Sequence, residues 1–189
     1  RAFTISNEFG MYAIALSFLG IFYNLDPIRA KKRLWINLGW QAASRGLLLY
    51  PATFAVWGEM WNPVAWIMGI IAFMLVLSMQ NTADFADVDI DAEYDIITPA
   101  VYHGLNSLTV IMGAIVAVMF TFIAAMNVLG YLPNLWSLYL IALPIGWSLW
   151  GLWNEPNSIS SIGGNHYSWY VFYFSLASLY MLPALQLTL

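Results

Sequence analysis

The sequence lacks cysteine and is poor in charged residues. Cysteine is absent from its 189 residues, which excludes disulfides, thiolate metal sites and cysteine nucleophiles. Asp, Glu, Lys and Arg make up 8% of the chain, against about 25% in soluble domains. Hydrophobic residues make up 61% and aromatic residues 17%, so an ordinary soluble domain is excluded. The composition predicts an integral membrane protein whose surroundings are the lipid bilayer.

Long apolar runs are what the chain does contain. About 20 apolar helical residues cross a bilayer core about 30 Å thick, and about six runs approach this length. They predict an all-α, polytopic transmembrane helix bundle in a single domain, residues 1–189. Because the chain starts with Arg1 and not with Met, we expect this domain to be incomplete at its N-terminus. The expected spans are Phe9–Leu25, Leu34–Trp57, Pro63–Met79, Pro99–Met126, Leu135–Trp153 and Trp169–Leu189.

Basic residues are concentrated in one loop. Arg29, Lys31, Lys32 and Arg33 are four of the six in the chain, and they follow the first expected span. Loops rich in Lys and Arg stay in the cytoplasm. Counting spans places the acidic stretch after the third span, and the polar loop Asn154–Ser168, on the same side. We therefore expect the site-bearing loops on the cytoplasmic face, with the polar loop covering the site, no nucleic-acid partner, and room for membrane protein partners.

The stretch Gln80–Asp95 holds six of the ten acidic residues and no basic residue. Asp84, Asp87 and Asp91 fall at i, i+3 and i+7, so they would share one face of a helix. Carboxylates this close either stay in water or hold a cation, because like charges otherwise raise one another's pKa. Mg2+ prefers oxygen ligands and combines one or two carboxylates with water and phosphates. The stretch predicts a site for Mg2+ and a diphosphate; the plainer interpretation is a solvated loop between two spans.

Ionisable and amide side chains also lie inside the expected spans. Arg45 is well inside the second one, where a charged residue indicates a functional site or else a structural pair or a snorkelling side chain. Gln41, four residues earlier, would keep Arg45 hydrogen-bonded. His103 and Asn106 are expected to share a helical face and to bond a neighbouring helix, and Pro144 is expected to kink the fifth span.

Two motifs carry a resemblance to a known family. The run Tyr23–Arg33 (YNLDPIRAKKR) resembles the Tyr-Ser-x-Pro-Pro-x-Arg-x-Lys signature of the UbiA superfamily of intramembrane prenyltransferases. The run Asp84–Asp91 (DFADVDID) resembles the second aspartate-rich motif of that superfamily, Asp-x-x-Asp-x-Glu-Gly-Asp. Thr98 stands where a Thr-Leu-Pro sequence often follows the second aspartate-rich motif. Two expected spans separate the two motifs, as in the superfamily.

The resemblance implies a fold, a reaction and a set of site residues. The fold has about nine helices, of which this chain carries the later six. The reaction moves a prenyl group from an isoprenyl diphosphate to a lipid-soluble acceptor, with Mg2+ as cofactor. The basic loop, which the positive-inside rule explains by itself, would in addition clamp the diphosphate. The site residues that the resemblance implies are Asp84, Asp87 and Asp91 for the metal and Arg29, Lys31 and Arg33 for the diphosphate. Arg45 joins the candidate catalytic residues because of its position inside a span and not because of the resemblance.

The chain departs from the superfamily pattern in several places. Asp26 replaces a Pro, Ile90 and Asp95 replace glycines, and Ala92 replaces a frequent Arg. Loss of the glycines predicts a stiffer loop, and loss of the Arg predicts a weaker hold on the diphosphate. The first aspartate-rich motif, of Asn-Asp-x-x-Asp type, has no counterpart here, so the chain is either a fragment, which we prefer, or a reduced relative.

Two functions from other classes remain open. A catalytically silent membrane subunit or scaffold with the same fold agrees with the missing first motif. A transporter or channel segment would place carboxylates inside the spans, and none of the expected spans contains Asp or Glu, so this interpretation ranks last. Neither the acceptor nor the length of the prenyl chain can be inferred from these residues.

Overall fold

A computed structural model describes residues 2–132, 137–159 and 166–186. Most of these residues are helical and none lies in a strand, which confirms the predicted all-α fold. A 3-10 turn covers Ala30–Lys32, and a π-helical segment, called the π segment below, covers Ala43–Leu47. The α-helices are α1 (Ala2–Ile5), α2 (Asn7–Asn24), α3 (Leu34–Ala42), α4 (Leu49–Ala55), α5 (Pro63–Met79), α6 (Thr82–Glu93), α7 (Pro99–His103), α8 (Leu105–Val128), α9 (Ser137–Leu140), α10 (Ala142–Asn154) and α11 (Tyr167–Gln186).

Helix α5 is the central element of the bundle. It packs against α3, the π segment, α4, α8 and α11. Ile71, Leu75, Val76 and Met79 on it are completely buried. A helix that is apolar on every side belongs in a core, where each face finds an apolar neighbour. Its bounds are those predicted, because the Asn62 side chain caps the first turn by accepting a hydrogen bond from the Val64 N–H (3.0 Å), and Pro63 stands at the first helical position.

The structure gives weak support to the predicted number of spans. Within the described residues, only α8 is by itself long and apolar enough to cross a membrane. Helix α5 meets the same criteria when it is joined to α6 across a bend of 42°. One or two such helices also occur in soluble cores, so this count is weak evidence by itself. The start of the fifth expected span and the end of the sixth lie outside the described residues.

Several expected spans are divided into shorter helices. The fourth is interrupted at Gly104, whose φ of 75° is a conformation that glycine adopts without steric cost. The prediction that His103 and Asn106 share one helical face is therefore wrong, because they lie in different helices. His103 lies beside Trp35, with ring centroids 5.5 Å apart. The fifth is interrupted at Ile141 and not at Pro144, because a proline in the first turn of a helix removes no internal hydrogen bond.

Two glycines allow the π segment to approach α5 closely. A Cβ placed on Gly46 would lie 2.5 Å from the backbone nitrogen of Phe73, and one on Gly69 would lie 2.6 Å from the carbonyl oxygen of Leu47. Small residues at helix contacts in membranes allow the two backbones to approach. The position of the π segment against α5 therefore depends on these glycines.

We expect Gly46→Ala to destabilise the protein by about 1–3 kcal/mol, because the added methyl group must displace backbone of α5. Gly39→Ala on α3 is the matched control, since a Cβ there meets no atom within 4 Å. The control should be neutral or slightly stabilising, because alanine favours helix over glycine. Thermal unfolding of the purified variants, followed by circular dichroism, measures both. Equal melting temperatures for Gly46→Ala and wild type would contradict the close approach.

Candidate active site

The chain turns sharply between α5 and α6, where the acidic stretch begins. The bend of 42° lies at Gln80 and Asn81. Asn81 is completely buried, and its Nδ2 donates to the carbonyl oxygens of Leu77 and Ser78, both at 2.9 Å. A side chain that bonds the carbonyls of the preceding turn is a common cause of a helix kink. The Oδ1 atom of Asn81 has no hydrogen-bond partner among the described residues.

The acidic stretch is a helix and not a loop. Helix α6 has 12 residues, five of them with carboxylate side chains, and a helix this rich in charge is costly to place in contact with lipid. Burial, and then the carboxylates of Asp91 and Asp87, raise the pKa of Asp84 to about 7. Burial and Asp87 also raise the pKa of Asp91. In the described part of the chain, the one ion pair joins Arg29 and Asp26, so no cationic side chain offsets the repulsion on α6.

These oxygen atoms fit a magnesium ion only in part. Among residues 2–132, 137–159 and 166–186, no three His, Asp or Glu side chains converge on one point. The helical rise of 1.5 Å per residue separates Asp84 from Asp91 by about 10 Å along the axis of α6. Mg2+ commonly takes one or two carboxylates and completes its shell with water and phosphate oxygens. Oxygen ligands for such an ion are available in the carboxylates of Asp84 and Asp87 and in the unpartnered Oδ1 of Asn81, one turn earlier.

Asn81 was not identified from the sequence. Its amide is three residues before Asp84, the spacing that places two side chains on one helical face, and this was the available signal. The burial of Asn81 could not be predicted, because the sequence does not indicate that the chain bends between α5 and α6 at this residue. The roles of Asp84, Asp87 and Asp91 as metal ligands stay a prediction.

A polar pocket lies between α2 and α3, next to this bend. Its volume is about 180 Å³, and Tyr23, Gln41, Ser44 and Arg45 supply its polar groups. Gln41 Nε2 donates to the hydroxyl of Tyr23 at 3.2 Å. Asp84 and Arg45 both act electrostatically on that hydroxyl, so the pocket and the acidic helix are neighbours. A space this small suits a charged head group and not a whole lipid.

Arg45 projects from the π segment, and its predicted partner was wrong. Its Nη1 donates to Oε1 of Gln80 at 3.3 Å. Gln41 was expected to bond Arg45, but its amide instead donates to Oδ1 of Asn37 (3.0 Å) and to Tyr23. The wider π turn explains the difference, because it changes the angular register between residues four apart. Single π turns inside α-helices are frequent at functional sites.

The basic loop lies at the same end of the bundle as α6. Arg33 forms a parallel backbone bridge with Ile97, in the segment that follows α6. Arg33 Nη2 donates to the carbonyl of Pro27 at 3.3 Å, and Arg29 Nη1 is 4.0 Å from Oδ2 of Asp26. Lys31 is exposed. The structure thus places the cations beside the acidic helix, but within the described chain no ion pair joins the two.

The departures at the two glycine positions have different structural effects. Asp95 has a φ of 53°, in the left-handed region that glycine favours and that Asp tolerates better than most residues. The backbone conformation that a glycine would give is therefore retained there. Ile90 lies within α6, where a glycine would weaken the helix. Ile90 therefore favours a continuous α6 across the whole carboxylate face.

Part of the polar loop Asn154–Ser168 can be described. Its residues 160–165, which include the glycines, lie outside the described residues, so the prediction that the loop covers the site stays untested. His166 is buried, and its Nδ1 accepts from the backbone N–H of Ser168 at 3.3 Å. Its Nε2 must then carry the proton and donate to Oγ of Ser158, 3.1 Å away. This histidine joins the loop to the start of α11.

The metal-free protein should lose stability as the pH rises. The pKa of Asp84 is about 7 in the fold against an ordinary 3.8, so the folded state prefers the protonated form, and the stability that this gives is lost as the pH rises from 3.8 to about 7. The groups that act on it are Asp87 and Asp91, with Tyr23 and Arg45 nearby. In EDTA, we expect a lower melting temperature at pH 8 than at pH 6.

Mg2+ should restore stability at pH 8, because it binds the ionised carboxylates of the folded state. Asp84→Asn should remove most of the pH dependence and most of the response to Mg2+. Differential scanning fluorimetry at the two pH values measures both. A variant that keeps the wild-type pH dependence would show that another group is responsible.

These features define a class of protein and a family. An all-α bundle with 61% hydrophobic and 8% charged residues, an apolar central helix, and polar and charged groups collected at one end is typical of integral membrane proteins. The sequence profile of the UbiA prenyltransferase family matches residues 2–162, which is most of the chain. The chain therefore belongs to the UbiA prenyltransferase family, as the two motifs predicted, and its class is that of membrane-embedded transferases in isoprenoid chemistry. Searches of curated proteins and of solved structures gave no match.

Proposed function

We propose that this protein transfers a prenyl group from an isoprenyl diphosphate to a lipid-soluble acceptor, with Mg2+ as cofactor. The observation that carries the proposal is the crowding of Asp84, Asp87 and Asp91 on α6 without a cationic partner, next to a polar pocket with Arg45. An anionic cluster beside an arginine suits a ligand that brings both a divalent cation and negative oxygens. Membership of a prenyltransferase family gives this ligand its chemical class.

Each candidate residue has a role in this proposal. Asp84 and Asp87 would hold the metal, which when bound neutralises charge on the diphosphate, and Asp91, about 10 Å from Asp84 along α6, would contact the metal through water. Arg45 would bond the diphosphate in the pocket, since a guanidinium group matches phosphate oxygens in pairs. Further contacts to the diphosphate would come from the neighbouring basic loop, through Arg29, Lys31 and Arg33.

The reaction breaks the bond between the prenyl carbon and the diphosphate oxygen and leaves an allylic cation. The guanidinium of Arg45 stabilises negative charge on the departing oxygen by hydrogen bonding. Trp40 and Tyr23 line the same pocket, and the faces of their rings can stabilise the cation. The acceptor then bonds to the cation and loses a proton, which completes the transfer.

A second pocket supports a lipid substrate. It has a volume of about 480 Å³ and lies between the start of α3 and α7. Lys32 and Arg33 contribute its cations, while Trp35, Ile36 and Tyr102 make its lining largely apolar. A lining that combines two cations with apolar side chains suits an amphiphile, so we assign this pocket to the apolar part of one of the two substrates.

The proposal is tested with the purified protein in lipid nanodiscs. Isoprenyl diphosphates of several chain lengths are supplied with a panel of lipid-soluble acceptors, and released pyrophosphate and prenylated product are measured with Mg2+ and with EDTA. We expect product and pyrophosphate in equal amounts, and only with Mg2+. Binding of the diphosphate without turnover would favour the scaffold; neither binding nor turnover would end the transferase proposal.

We also propose that the site-bearing end faces the cytoplasm, as the basic loop favours. Because the chain has no cysteine, a single Lys32→Cys variant can report the side of the membrane. A membrane-impermeant maleimide should label it only after the cells are opened; labelling of intact cells would reverse the orientation.

A further inference from the structure

Helix α11 makes one hydrogen bond with the π segment, which carries Arg45, and another with α4, which follows it. The hydroxyl of Tyr180 on α11 donates to the backbone carbonyl of Arg45 at 2.9 Å. The hydroxyl of Tyr50 on α4 donates in the opposite direction, to the backbone carbonyl of Leu179. The two tyrosine rings are stacked, with centroids 4.6 Å apart and planes at 13°. Helix α11 is thus hydrogen-bonded to the π segment through Tyr180 and to α4 through Tyr50, and the stacked rings join the two contacts.

These hydrogen bonds lie at and next to the π segment, where the helix is irregular. The π segment deviates from α-helical geometry, so its shape needs contacts from outside the helix. Gly46 and Gly69 press one side of it against α5, and Tyr180 holds the adjoining carbonyl of Arg45. Tyr50 is 5% exposed, and a buried phenol hydroxyl stabilises a fold when it is bonded. The direction of the Arg45 side chain therefore depends on residues far from it in sequence.

We infer that Tyr180 is a positioning residue for Arg45: its hydroxyl fixes the π segment so that the guanidinium lies beside Gln80 and opens into the polar pocket. This inference rests on the proposed function for its kinetic consequence. Tyr180 lies on α11 (Tyr167–Gln186), beyond the part of the chain that the family profile matches, so the profile does not assign it. The role follows from the hydrogen bond and from the stacked pair alone.

Tyr180→Phe removes the donor and keeps the stacked ring. One hydrogen bond fixes the carbonyl, so its loss should raise KM for the isoprenyl diphosphate about 3- to 10-fold. The value of kcat should also fall, by no more than the same factor, because Arg45 stabilises charge that develops on the departing oxygen as well as charge on the bound diphosphate. Tyr170→Phe is the matched control, since Tyr170 is an exposed tyrosine on the same helix.

Hydrogen exchange measured by mass spectrometry tests the contact directly. In nanodiscs, amides of residues 43–48 should exchange about 3- to 10-fold faster in Tyr180→Phe than in wild type or Tyr170→Phe. Tyr50→Phe should also speed this exchange, because it removes the other hydrogen bond. In the double variant, the increase in exchange rate should be smaller than the two single effects combined. Unchanged exchange in Tyr180→Phe overturns the inference. Faster exchange with unchanged KM also overturns it, because the contact is then structural only.

The test separates this inference from the proposed function. If the wild-type protein turns over no substrate, the proposed function fails, and the affinity of each variant for inorganic pyrophosphate with Mg2+ replaces KM. Weaker binding by Tyr180→Phe, with Tyr170→Phe unchanged, would then support the positioning role. Equal binding by both variants, or no binding by the wild type, would overturn it.

Discussion

Asp84→Asn is expected to lower the rate of prenyl transfer by at least about 100-fold. The change keeps the size and shape of the side chain and removes its charge, so the loss would report the carboxylate and not the packing. Loss of groups that only support metal ligands already costs about 10- to 100-fold, and a direct ligand should cost more. The choice of Asp84 rests on its partial burial and on the raised pKa that its neighbours Asp91 and Asp87 help to produce.

The matched control is Asp89→Asn. Asp89 lies on the same helix and is exposed, and it is five residues from Asp84, which places it on another face. The control removes the same charge from α6, so a general electrostatic effect would appear in both variants. Titration of activity with Mg2+ completes the experiment, because Asp84→Asn should need much more Mg2+ and Asp89→Asn should not. Equal losses in the two variants would refute a specific ligand at position 84.

Arg45→Ala is expected to reduce kcat/KM by about 100-fold, the effect of removing one strong donor to charge that develops in the transition state. Arg45→Lys keeps the charge but loses the paired geometry of the guanidinium, so it should recover only part of the rate. Added guanidinium ion should restore part of the activity of Arg45→Ala, because the pocket has room for it.

Stability separates catalysis from folding in this series. The backbone carbonyl of Arg45 still accepts from Tyr180 in each variant, so the melting temperature should stay near that of wild type. Full activity of Arg45→Ala at normal stability would place the diphosphate elsewhere, and the second pocket, which Arg33 lines, would be the next location to test.

Local features of the sequence determined the class and much of the fold. The shortage of charge, the apolar runs and two short motifs were enough to predict an all-α membrane protein of the UbiA family. The bounds of α5 were predictable because Asn62 and Pro63 start it and the apolar run stops at Met79. The carboxylates of α6 were placed on one face by spacing alone, since helical periodicity depends only on neighbours in sequence.

Tertiary contacts decided the partners of the site residues. Arg45 bonds Gln80, which is 35 positions away, and its backbone bonds Tyr180, which is 135 positions away. Pattern analysis paired Arg45 with Gln41, because it assumes α-helical register, and the π segment changes that register. The breaks at Gly104 and Asn81 likewise depend on how helices meet. Periodicity is a local property, whereas the choice between a straight and a distorted helix depends on packing against the rest of the bundle, so only the folded structure contains it.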